Sequence, residues 1–119
     1  FTACANTDGP FIYTGFKPKW LIIKKHNSAT DSNWIIMDNK RSTFNDSVGT
    51  EWNQADVPNA EGNRVSGSWH AGGISFLSNG FKIYNVNGEL NGTDGDTLVY
   101  AAFAEHPFVS SEGTPCTAR

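Results

Sequence analysis

Two aromatic clusters hold the residues of this sequence most suited to ligand chemistry. Glu51-Trp52-Asn53-Gln54 and Ser68-Trp69-His70 each set an indole beside groups that donate and accept hydrogen bonds. A sugar ring presents an apolar face of C–H groups that stacks on indole, while Asn, Gln and His reach its hydroxyls. Trp52, Asn53, Gln54, Trp69 and His70 are therefore the candidate ligand-binding residues, and the ligand they fit is a glycan. The alternative for each tryptophan is burial, as a plug at one end of the domain or against a neighbouring subunit, because large aromatics are usually well buried. Trp20 and Trp34 lie in apolar runs, where core or inter-subunit packing is the default.

Other reactive side chains are scattered. Asp94-Gly95-Asp96, preceded by Asn91-Gly-Thr93, supplies oxygen ligands for a weak Ca²⁺ candidate at Asp94 and Asp96. The cluster lacks the length and terminal Glu of a calcium-binding loop, and the same residues are ordinary turn chemistry. Glycoside hydrolysis needs two carboxyl groups facing each other across a cleft, and no spacing rule pairs Glu51, Asp56 or Glu61. His26, His70 and His106 lack metal-ligand spacing. Nucleophile elbows, phosphate loops and Cys-His pairs are absent from the sequence. It therefore predicts no catalytic residue, no cofactor and no enzyme. Glu105 reads as one half of an ion pair tying a strand end to the Lys40-Arg41 loop.

The two cysteines, Cys4 and Cys116, stand near opposite ends of the 119 residues. Adjacent terminal strands would bring them within disulfide reach and imply an oxidising compartment. Two unrelated small hydrophobes is the other reading.

The elements that must position these residues are strands. Eight Phe, four Trp and three Tyr favour pleated, half-buried surfaces, and twelve Gly with many Asn, Asp, Ser and Thr supply tight turns. No stretch repeats apolar residues at helical spacing. Strands are predicted at residues 11–16, 20–26, 34–38, 74–77, 81–86 and 97–104, with residues 78–80 (Ser-Asn-Gly) as a hairpin turn. Residues 39–73 form a long polar middle of the kind that carries function. The length suits one domain, an antiparallel β-sandwich of jelly-roll or lectin-like layout with adjacent termini. The chain opens on Phe1 rather than Met, so it reads as part of a longer polypeptide. A net charge of −3 and no basic stripe exclude a nucleic-acid partner. The apolar runs are too short to insert in a bilayer as helices.

Five blocks carry a resemblance. They are residues 8–25, from Asp8-Gly-Pro-Phe to Leu-Ile-Ile-Lys-Lys25; Trp34-Ile-Ile-Met-Asp-Asn-Lys-Arg41; Ala60-Glu-Gly62; Ile74-Ser-Phe-Leu-Ser-Asn-Gly-Phe-Lys82; and Tyr100-Ala-Ala-Phe-Ala-Glu-His-Pro-Phe108. In order and spacing they resemble a β-domain of uncharacterised function in bacteriophage tail fibre and minor tail proteins. The resemblance implies a homotrimer at the extracellular virion surface and transfers no catalytic residue. Both cysteines depart from that family's pattern, which favours their pairing.

The expected function is host recognition and adhesion through residues 39–73, binding a cell-surface glycan with avidity from multiple copies. The alternative is a structural or decoration module that contacts other virion subunits. The first expects Trp52 and Trp69 partly exposed at one end of the sandwich; the second expects aromatics at protein interfaces.

Overall fold

The computed structural model describes residues 1–28, 33–40, 53–54, 73–84, 86 and 88–106. Its strands are β1 (Phe11–Tyr13), β2 (Pro18–Lys25), β3 (Ile35–Asp38), β4 (Asn53–Gln54), β5 (Ile74–Leu77), β6 (Gly80–Ile83) and β7 (Leu98–Ala104). The described residues contain no helix. All pairings are antiparallel. They build a three-stranded sheet, order β1-β6-β5, and a four-stranded sheet, order β4-β3-β2-β7.

Alternation explains how the sheets meet. Leu21 and Ile23 of β2, and Ile35 and Met37 of β3, are fully buried and face the other sheet. That sheet answers with Ile12, Ile74, Phe76, Phe81 and Ile83. Ala3, Leu90 and Leu98 complete one continuous core, so the domain is the expected antiparallel β-sandwich.

The β5–β6 hairpin turns at Ser78 and Asn79, as predicted, but its glycine serves another purpose. Leu77 pairs with Gly80, and Gly80 has no positive φ. A Cβ there would lie 2.1 Å from the Ile12 carbonyl oxygen of β1. Gly80 is required because a third strand passes too close for any side chain.

Most strand boundaries differ from the prediction, β6 ending at Ile83 instead of residue 86 and β4 not being expected, and two of the differences have a plain local cause. β1 stops at Tyr13 because Thr14 and Gly15 both turn their N–H groups onto the Asn79 carbonyl, at 3.0 and 3.2 Å, with Gly15 at φ +80°. Pro18, predicted to break the chain, instead begins β2. It is accommodated because the β2–β7 register shifts between Pro18 and Trp20, and a bulge at a strand start tolerates a missing N–H.

The N-terminus lies beside β7. The Phe1 ammonium donates to the Leu98 carbonyl at 2.9 Å, Leu98 N–H donates to Phe1 O at 2.8 Å, and Thr2 bridges Thr97. Asn91, fully buried, holds the next residues: its Oδ1 accepts the Cys4 N–H and its Nδ2 donates to Asn6 O, both at 2.8 Å. Cys4 is a free, exposed thiol, and no disulfide is found among the described residues. Cys116 lies outside the described residues.

Candidate docking face

The four-stranded sheet has a second face that the core does not use. Register places Trp20, Ile22 and Lys24 of β2 beside Asp38 and Ile36 of β3 and Phe103, Ala101 and Val99 of β7, with Trp34 just before β3. Phe103 is 57% exposed, Val99 46% and Trp34 36%. Trp20 meets Phe103 edge-on, ring centroids 5.1 Å apart, and Lys24 holds its ammonium 5.3 Å from the Trp34 ring. The result is an aromatic and aliphatic sheet face with one cation at one end and one carboxylate at the other. Exposed apolar surface gathered on one face, rather than scattered singly, is how docking sites are built.

The ionised groups nearby are tied into the fold. Lys25, buried at the end of β2, sets its Nζ 2.7 Å from Asp96 Oδ2. Asp96 N–H also donates to Thr93 O at 3.3 Å, with Gly95 at φ +84°. Asp94 and Asp96 are thus turn residues, and the Asp96 carboxylate neutralises a buried ammonium. Among the described residues no cluster of three or more His, Cys, Asp or Glu converges on one point. Glu105 forms an ion pair, as expected, but its cation is Lys17 at 2.6 Å. Its N–H donates to Lys17 O at 2.9 Å and its Oε1 accepts from Asn39 Nδ2 at 3.1 Å. The Lys17 ammonium holds the Glu105 carboxyl below the usual carboxylate range.

Of the predicted ligand-binding residues, Asn53 and Gln54 form β4 at the edge of the same sheet, opposite Ile36 and Ile35. Trp52, Trp69 and His70 lie outside the described residues, as do Glu51, Asp56 and Glu61. Sequence reasoning assigned Trp20 and Trp34 to core or inter-subunit packing and singled out neither Phe103 nor Val99. The signal was present in β2 and β7, which are apolar on both faces although only one face meets the core.

The family model for a domain of unknown function, DUF7483, matches residues 1–107. The chain belongs to the DUF7483 family. No curated protein and no solved structure matches it significantly. The match takes in every strand among the described residues of this DUF7483 domain, and with them the outer face that they form on the four-stranded sheet.

Proposed function

We propose that this DUF7483 domain is a non-catalytic interaction module at the surface of a phage particle, docking onto another virion protein through the outer face of β4-β3-β2-β7. One observation carries the reading: Trp20, Ile22, Trp34, Ile36, Val99, Ala101 and Phe103 share that face, with Lys24 and Asp38 the charges on it. Aromatics with few charges are the composition of an interface centre. The virion setting is supported by the resemblance of the five sequence blocks to a module of tail fibre and minor tail proteins.

A second reading, recognition of a host-surface glycan, draws on the same face. Trp34 and Phe103 are exposed aromatics, and β4 brings Asn53 opposite Ile36. Sugar stacking needs such a platform with amide groups beside it.

One experiment separates the two. Particles carrying Trp34→Ser with Phe103→Ser are compared with particles carrying Tyr13→Ser, on the other sheet. Docking within the particle predicts that the double variant folds but is not incorporated, while Tyr13→Ser is incorporated normally. Glycan recognition predicts normal incorporation and lost adsorption to host cells. Normal incorporation with normal adsorption removes both.

A further inference from the structure

Two Asn-Gly steps lie wholly within the described residues, and they meet opposite surroundings. Asn91, before Gly92, is fully buried, and both ends of its amide are held, Oδ1 by the Cys4 N–H and Nδ2 on Asn6 O. Asn79, before Gly80, is exposed at the β5–β6 turn. Among the described residues no hydrogen bond holds its side-chain amide. Nor does the turn need an asparagine for its shape. Two-residue hairpins use Asn where a positive φ is required, yet neither Ser78 nor Asn79 has one.

The fold grips this turn by its main chain instead. The Asn79 carbonyl oxygen accepts two hydrogen bonds from the residues after β1, Thr14 N–H at 3.0 Å and Gly15 N–H at 3.2 Å. That oxygen shares its peptide unit with the Gly80 nitrogen. When the nitrogen gives up its proton, negative charge spreads onto the oxygen, where two N–H dipoles already point. Donors fixed in advance at a developing oxyanion are the arrangement by which enzymes stabilise one. Here they make the Gly80 N–H easier to deprotonate than an ordinary peptide N–H. Gly80 has no side chain to screen the nitrogen, and Asn79 Cγ stands a five-membered ring closure away.

We propose that Asn79 is a site of self-modification, converted through a succinimide that the fold itself promotes, while Asn91 is protected. Water or hydroxide takes the Gly80 proton, the nitrogen electron pair attacks Asn79 Cγ, and the bond from Cγ to Nδ2 breaks. Nδ2 leaves as ammonia, the proton it needs coming from water. One water then opens the ring. Entry at Cγ leaves an aspartate in the normal chain. Entry at the main-chain carbonyl leaves its β-linked isomer, in which the chain runs through Cγ and is one atom longer. Leu77 faces Gly80 in the register, so the ring closes as this last pair of the hairpin opens. The Thr14 and Gly15 donors come from outside the hairpin and do not depend on that pair.

Either product adds a negative charge to the turn. The longer one must also be fitted beside Ile12, whose carbonyl oxygen already lies where a side chain on Gly80 would be. Conversion therefore loosens β6 from β1, slowly and in one direction, and leaves the outer face of the four-stranded sheet as it was. It does not depend on what that face docks.

The test is peptide mapping of the 119-residue chain held folded at mildly alkaline pH, with released ammonia and isoaspartate measured over time. Asn79 is expected to convert at least about tenfold faster than Asn91, which must wait for local opening. In denaturant the difference between the two sites should vanish. Thr14→Pro removes one donor and also loosens the turn. Loss of the donor slows conversion at position 79 by about tenfold, whereas loosening alone speeds it. No conversion at Asn79, equal rates at the two sites in the folded chain, or an unchanged or faster rate in Thr14→Pro overturns the proposal. Should Thr14→Pro fail to fold, the unmodified chain decides. Conversion at Asn79 is expected to be faster folded than in denaturant, and a slower rate overturns the proposal as well.

Discussion

The two outer faces of the sandwich start from similar strands and end differently. On the three-stranded sheet the aromatics are individually engaged with polar or backbone groups. The Phe11 ring edge lies over Gly80, and Lys82 sits 5.4 Å from the Tyr84 ring while reaching Asp8 at 2.5 Å. Asp8 holds the Lys82 ammonium above its usual range, and Ser75 lies next to Lys82 in the register. Tyr13, 68% exposed, carries its own hydroxyl into water. On the four-stranded sheet, Ile22, Ile36, Val99, Ala101 and Phe103 have no polar atom in their side chains, and they lie together. The first face is finished as solvent-exposed surface. The second is left apolar and exposed, which is why the proposed docking rests on it.

Substitutions can break that contrast, and the largest effect is expected inside rather than on either face. Asp96→Ala leaves the Lys25 ammonium buried without its carboxylate, at a cost of about 3 kcal/mol. Chemical denaturation measures it, and adding Lys25→Met should recover most of the loss. Full stability in the single variant would show that the pair is not buried as described.

Gly80→Ala comes next. The added methyl must push β1 from β6, so a loss of about 1–3 kcal/mol is expected, with faster amide exchange confined to the three-stranded sheet. An unchanged midpoint would contradict the close approach of Ile12.

Phe103→Ser sharpens the contrast most. It forfeits the edge-on contact with Trp20, worth about 0.5–1.5 kcal/mol, yet should abolish docking. A structural role alone predicts the reverse ranking, with stability lost and docking kept.

The smallest effect is electrostatic. Glu105 has a folded-state pKa below its unfolded one, so its contribution is complete above the ordinary carboxylate pKa. That contribution disappears as pH falls through the lowered value. Glu105→Gln should therefore lower Tm slightly at neutral pH and flatten the acid limb of the plot of Tm against pH, the two curves meeting at low pH.

Much of this was legible in the residues. The apolar run at 34–38 marked β3, and Ser78-Asn79 between apolar runs marked the hairpin. What escaped depends on contacts between distant segments. Lys25 sits near the end of the strand predicted at 20–26, and only Asp96, brought in by the chain after β6, makes it a buried ion pair. Asn91 read as a turn residue, whereas it clamps Cys4 and Asn6 from inside the fold. Gly80 read as a turn glycine, and the reason for it is a strand far upstream.

The most direct test of the docking face is oxidative footprinting of the assembled particle against the isolated chain. The account expects Trp34, Val99 and Phe103 to become protected on assembly while Phe11 and Tyr13 keep their reactivity. Equal reactivity of Trp34 and Phe103 in both states, or protection of Phe11 and Tyr13 instead, would contradict it.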